Sequence, residues 1–258
     1  MDQFIEDIVR EAGEAVMKFF GEVGVKYTKE GGASDVVTEA DLAANKILTE
    51  RIRKTYPSHQ IISEEGNRAC EQKGYVWILD PLDGSRNFST GVPLFGIMAA
   101  LAKDGIIERA AIYLPPLKEL FSAKRGSGAL LNGSPVHSSK QKKWAESYGC
   151  GSANFGKNIS FIEVLIEARK KDPFWMNAFG SFAVTSTYVA SGRRDWFASY
   201  NGGVWDYAAG SLILEEAGCK VTNAKGESWT ICDQEIVAAN PDLHPTLLTL
   251  IQKANPEG

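Results

Sequence analysis

A chain of 258 residues, 44% hydrophobic and 23% charged, has the make-up of a globular protein long enough to bury a sizeable core. Its net charge of -4 gives no support to nucleic-acid binding, which needs a basic face, and no apolar run approaches the ~18 residues of a membrane span. The four cysteines, Cys70, Cys150, Cys219 and Cys232, are far apart with no CxxC pair, which argues against a zinc site or disulfide framework and fits a reducing cytoplasm.

The N-terminal stretch is acidic and amphipathic, so it reads as a helix over residues 4–20 stopped by Gly21, not as a secretory signal. "GGASDVV" predicts a turn into a second helix, "TEADLAANKILTERIRKTYP", with Thr38 and Asp41 at capping-box spacing and Pro57 past its end. "HQIISEEG" predicts a short strand meeting an acidic corner. "GYVWILD" is apolar throughout, as a strand buried on both faces should be, and ends at Asp80. From Val92 to Leu131 the pattern predicts hairpins, with Asp104-Gly105 and Asn132-Gly133 as turn signals. In the second half "SFIEVLIEARK", "SFAVTSTYVASG" and "WDYAAGSLILEEAG" predict helices. "RRDWFAS", "KVTNAKGES" and "EIVAAN" predict strands, and a short helix is expected after "PDLHP". His59, His137 and His244 stand in turn-like contexts and read as surface residues; Trp175, Trp196 and Trp229 read as core or interface anchors. The expected fold is α/β, with large antiparallel elements.

Six carboxylates fall at the edges of these elements: Asp41, Glu64, Glu65, Asp80, Asp83 and Asp206. Singly, each has an ordinary explanation. Asp41 can belong to the capping box, Glu64 and Glu65 to a solvated loop, Asp83 to a turn before glycine, and Asp206 to the acid-favouring first turn of a helix. Together, their neighbours are small or apolar rather than basic. Converging at a strand end, where α/β sheets bind ligands, they would repel one another without a cation. A hard ion such as Mg²⁺ suits such oxygen donors, and three histidines offer little to a softer metal. "GSRNF" follows at once, and its backbone N–H groups with the Ser85 hydroxyl form a cradle for an anion. Acids that hold metal beside an anion cradle are what phosphoryl transfer to water requires. Phosphatases that form an aspartyl-phosphate carry DxD; here two residues separate Asp80 from Asp83, which argues against a covalent aspartyl intermediate.

"DPLDGSRNF" resembles the DPxDG(S/T)xNF signature of the inositol monophosphatase-like, Mg²⁺-dependent, lithium-sensitive phosphatases. "SEEG" is similar to that family's GEE element, "VTEAD" to its upstream acidic motif, and "WDYAAGSLILEEAGCKVT" to its second signature, in the same order along roughly residues 30–240. The resemblance implies a layered αβαβα sandwich, one domain of two closely packed subdomains near 1–135 and 136–258, forming a homodimer. It implies two or three Mg²⁺ per site. Glu64, Asp80 and the Leu82 carbonyl would hold the first, and Asp80, Asp83 and Asp206 the second, with Glu64 helping a looser third. Glu64 and Ser85 would position the nucleophilic water, and Asp41 would lie behind them near the water network, supported by Glu65. Gly84 and Ser85 would offer backbone donors to phosphate, and Gly180, Ser181 and Phe182 would approach the sugar or inositol ring, as in the family's GTAA turn, with Asp83 and Asp206 also facing substrate.

Two departures bear on specificity. Where inositol-specific members carry an acid that binds a ring hydroxyl, this chain has Ser199, and Phe182 replaces a small residue in the GTAA-like turn. The expected activity is Mg²⁺-dependent hydrolysis of a small phosphate monoester, inositol monophosphate by default. Fructose 1,6-bisphosphate, histidinol phosphate and 3′-phosphoadenosine 5′-phosphate are alternatives. A different class of answer is a non-catalytic, metal-dependent phosphate-binding or regulatory protein.

Overall fold

The computed structural model describes residues 1–21, 27–28, 36–37, 39–66, 73–151 and 159–254. Most of the expected turn before the second helix, Thr38 of the capping box and Cys70 lie outside the described residues. A two-residue pairing of β1 (Tyr27–Thr28) with β2 (Val36–Val37) precedes the main body. Seven strands, β3 (Gln60–Ser63), β4 (Tyr75–Asp83), β5 (Gly96–Lys103), β6 (Ile106–Leu114), β7 (Glu119–Lys124), β8 (Ala129–Leu131) and β9 (Ser134–Val136), lie side by side in chain order. Only β3 and β4 pair in parallel; the rest of that sheet is antiparallel. The β5–β6 turn is made by Asp104 (φ 50°) and Gly105 (φ 83°), the left-handed pair that two-residue hairpins favour.

The second sheet runs β11 (Trp175–Asn177), β10 (Tyr148–Gly151), β12 (Trp196–Tyr200), β14 (Glu235–Ala239), β13 (Lys220–Thr222). β10 pairs in parallel with both β11 and β12, whereas β14 is antiparallel to β12 and β13. β10 and β11 were not among the expected strands. Both are short, and β10 carries two glycines (Gly149, Gly151), so they show little alternation to read.

Strand periodicity assigns the layers. On β4, Trp77 and Leu79 face α1 (Asp2–Met17) and α2 (Glu39–Thr55), whose residues Ile5, Ile8, Val9, Ala44, Leu48 and Ile52 are buried against them. Gly13 of α1 allows the close approach: a Cβ there would lie 2.5 Å from the Tyr113 ring. Val76 and Ile78 face the other way, toward α5 (Phe182–Ala190) and α6 (Val204–Glu216). The same two helices cover Cys150, Phe197, Ile236 and Ala238 of the second sheet, so α6 is apolar nearly all round, as a helix held between two sheets must be. The outer face of the second sheet packs Trp196, Ala198 and Val237 against α4 (Ile159–Lys171) and α7 (His244–Ala254). Helix pair, sheet, helix pair, sheet, helix pair: the layers are αβαβα, as the sequence resemblance implied. No helix among the described residues is long and apolar enough to cross a membrane.

The structure corrects three readings. β4 does not end at Asp80 but continues through an irregularity to Asp83. His244 is fully buried, with Nε2 3.0 Å from Thr222 Oγ1, and His59 is half-buried between the rings of Tyr56 and Tyr75, accepting from Trp77 Nε1 at 3.1 Å. Short aromatic and polar stretches near Ser and Pro read as surface only until the strands around them are assembled. Trp175 is 60% exposed on edge strand β11 beneath Arg169, whereas Trp196 and Trp229 are buried.

Candidate active site

The irregularity in β4 is what brings two of the acids together. Asp80 and Asp83 are three residues apart, so an unbroken strand would send their side chains to opposite faces. Met98 of β5 opposes Asp80 and Gly96 opposes Asp83, one partner residue fewer than an unbroken ladder would use between them, so β4 gains a residue there. Leu82 turns into the α1–α2 core while both carboxylates meet on the other side. Asp80 Oδ1 also accepts from Leu82 N at 3.1 Å. Gly84 then takes φ 83°, where a Cβ would sit 2.9 Å from Leu94 O, and α3 (Ser85–Ser89) begins.

The third acid arrives on α6. Asp206, in its first turn, accepts from Gly203 N at 2.6 Å and places a carboxylate oxygen within 4.8 Å of those of Asp80 and Asp83. The three lie in a cavity of about 490 Å³ with Glu64, Leu82, Gly84, Ser85, Gly180, Ser181 and Phe182 on its walls. Burial drives the Asp80 carboxyl well above its usual range, and the nearby charges of Glu64, Asp83, Asp206 and Asp41 push the same way. Asp83 is raised to about 6 by burial. Hydrogen bonds from Ser181, Ala183 and Phe182 oppose that rise, and the Glu64 charge adds to it. Among the described residues, neither histidine nor cysteine lines the cavity. Clustered oxygen donors of one sign, two of them buried and Asp206 half-buried, fit a hard divalent cation such as Mg²⁺.

The remaining expected residues are placed differently. Asp41, 2% exposed on α2, is near enough to act on Asp80 but does not line the cavity, nor does half-buried Glu65. Ser199 does not line it either. It is fully buried, sharing Phe197's face of β12, and accepts from the Tyr207 hydroxyl of α6 at 3.0 Å, so a ring-binding role for it is not what the structure places there. Sequence reading gave no part to Asn87, whose Nδ2 donates to Leu94 O and Phe179 O, both at 2.7 Å, and ties the strap before α5 to α3. Arg86, Thr185, Phe179 and Phe197 also line the cavity unforeseen. An asparagine within a turn motif is the one signal that was available; its partner Phe179 is 92 residues away.

Five alternating layers, with a carboxylate cavity between the end of β4 and the first turn of α6, define the class: a layered αβαβα protein with a cluster of oxygen donors that could hold a cation. The model of the inositol monophosphatase family matches residues 1–255, and the chain belongs to that family. A Thermotoga maritima fructose-1,6-bisphosphatase/inositol-1-monophosphatase is 31% identical over 246 residues, 95% of this chain and 93% of that protein. The Pseudomonas aeruginosa Nus factor SuhB is 34% identical over 250 residues, 94% and 92% of the two chains. Among solved structures, a Thermotoga maritima IMPase superposes with a TM-score of 0.89 at 30% identity, covering 100% of this chain and 99% of that one.

Proposed function

We propose that this protein hydrolyses a small phosphate monoester with the help of Mg²⁺, by direct attack of water and without a covalent enzyme intermediate. The observation that carries the reading is the meeting of Asp80, Asp83 and Asp206 within 4.8 Å in a cavity that also holds Glu64, Gly84 and Ser85. Glu64, Asp80 and the Leu82 carbonyl would hold one ion, Asp80, Asp83 and Asp206 a second, and Glu64 a looser third. Bound there, Mg²⁺ would supply Lewis-acid stabilisation of the phosphate oxygens and lower the pKa of water. The chain's own part is positional. Glu64 and Ser85 hold the water in line with phosphorus, Asp41 and Glu65 support them from behind, and the Gly84 and Ser85 N–H groups hold the phosphate. Gly180, Ser181 and Phe182 bound the space for the leaving alcohol. Inositol monophosphate is the default substrate, and fructose 1,6-bisphosphate is supported by the name of the Thermotoga relative. The protein acts as a cytoplasmic homodimer, which light scattering would check.

The test is phosphate release from a panel of esters with and without Mg²⁺. Release that requires Mg²⁺ supports the reading; no release from any ester at millimolar Mg²⁺ defeats it. A second reading, a regulatory part independent of turnover, draws on the name of the Pseudomonas relative. It predicts that a catalytically dead variant still restores whatever growth defect loss of the protein causes.

A further inference from the structure

We propose that Ser181 is a positioning residue for the cation site, holding the Asp83 carboxylate so that a single lone pair, on Oδ1, is left for a cation. This rests on the reading of Asp83 as a cation ligand. The start of α5 reaches Asp83 from a segment about a hundred residues away in sequence. The Ser181 hydroxyl donates to Oδ2, Ala183 N donates to Oδ2 at 2.8 Å, and Phe182 N donates to Oδ1 at 3.0 Å. A carboxylate oxygen offers about two lone pairs. Oδ2 is therefore saturated and Oδ1 has one position open. Asp83 is 5% exposed, so water has little room to substitute for a lost donor.

Ser181 is itself held. It is 6% exposed, its Oγ accepts from Val184 N at 3.2 Å as the N-cap of α5, and Gly84 packs against it so closely that a Cβ on Gly84 would lie 3.1 Å from Ser181 Cβ. The Asn87 contact to Phe179 O fixes the strap just before it. One hydroxyl thus caps a helix and orients a ligand in the opposite half of the cavity. Groups behind a metal ligand set its orientation, and their loss lowers metal affinity by about 10–100-fold.

The cap and the orienting role separate in a series at one position. Ser181→Ala removes both, Ser181→Gly removes the donor but leaves an acceptable N-cap, and Ser181→Thr keeps the hydroxyl. Each full-length protein, stripped with a chelator, is titrated calorimetrically with Mg²⁺ alone, beside its urea midpoint. We expect Ala and Gly to weaken Mg²⁺ binding alike, by about 10-fold or more, and Thr to restore it. Turnover of the Ala and Gly variants should then recover as Mg²⁺ is raised. Wild-type affinity in both Ala and Gly overturns the inference, as does affinity that tracks the urea midpoint, with Gly normal and Ala weak. Failure of the wild type to bind Mg²⁺ defeats the cation reading itself and this inference with it.

Discussion

Two buried polar regions of this molecule are built on opposite plans. Beyond the end of β14, Asn240 is 2% exposed and uses its whole side chain: Nδ2 donates to Ser139 Oγ and Gln141 O, each at 2.9 Å, while Oδ1 accepts from Asp242 N and Leu243 N at 3.1 and 3.0 Å. Nearby, Asp195 accepts from Tyr148 N at 2.6 Å and Trp196 Nε1 donates to Ser147 Oγ at 3.0 Å. Each of these groups has a partner that complements it. At the end of β4 the arrangement is reversed: Asp80, Asp83 and Asp206 present like charges within 4.8 Å of one another. Asp83 has three donors, yet it faces Glu64 and stays raised to about 6. Paired polar groups make one conformation specific. Clustered carboxylates leave an electrostatic cost that a cation removes. The first region serves the fold; the second is arranged as the proposed cation site requires.

Substitutions should therefore have opposite effects in the two places. Asp83→Asn keeps shape and removes a charge, so turnover should fall by roughly 10³-fold or more, several kcal/mol of lost charge stabilisation. The cation-free fold should lose little stability, because the relief of one repulsive charge offsets the Phe182 N–H that the amide NH2 leaves without its acceptor. A phosphate-release assay beside urea denaturation checks both, and near-normal turnover would remove Asp83 from the machinery. Asn240→Ala should do the reverse. It strands several buried partners and should cost about 2–4 kcal/mol, while the folded protein turns over normally. Mg²⁺ should sharpen the contrast from the other side. At a concentration near a hundred times its dissociation constant it should add about 2.7 kcal/mol to the wild type. It should add much less to Asp83→Asn and its full amount to Asn240→Ala. Thermal unfolding with and without chelator measures this, and equal gains in all three proteins would break the comparison.

Much of this was legible in the sequence because it is local. The alternation of Trp77, Ile78 and Leu79, the Asp104-Gly105 turn and the apolar circumference of "AAGSLILEE" each specify an element from adjacent residues. The acidic cluster was legible as a pattern, because Asp80-Pro-Leu-Asp83-Gly and Trp205-Asp206 are short motifs at element edges. What stayed hidden depends on distant residues meeting. That β4 passes Asp80 with a bulge follows from its pairing with β5, and nothing within "ILDPLDG" requires it. The burial of Ser199 beneath Tyr207 needs α6 laid across β12. His244 stood in an ordinary turn context until α7 closed over Thr222. β10, with Gly149 and Gly151, is a strand by virtue of β12 beside it, and β11 by virtue of β10, rather than by their own composition.

The smallest expected effect is also the most diagnostic, because the two regions titrate with opposite sign. Burial lowers the His244 pKa to about 4, with Lys220 acting in the same direction. His244 is therefore neutral in the fold, while in the unfolded chain it takes a proton below its ordinary value of 6.5. Between those values the unfolded state binds more protons, so this group makes stability fall as pH falls. Asp83 behaves in reverse. Its folded pKa of about 6 lies above its ordinary 3.8, so the cation-free fold binds the extra proton and stability falls as pH rises through that interval. Asp80, raised for the same reasons, adds to that slope. In cation-free wild type the two trends oppose each other between about pH 4 and about pH 6, so the urea midpoint should decline toward neutral pH less steeply than the two carboxylates alone would make it. His244→Gln should expose the acid slope, with stability declining toward neutral pH. Asp83→Asn should tip the balance toward the histidine slope. Saturating Mg²⁺ should flatten the acid contribution in His244→Gln, because the carboxylates then stay ionised in the fold. If the slope of Asp83→Asn is not shifted toward the histidine direction relative to that of His244→Gln, the paired region and the charged region do not differ in the way their geometry requires.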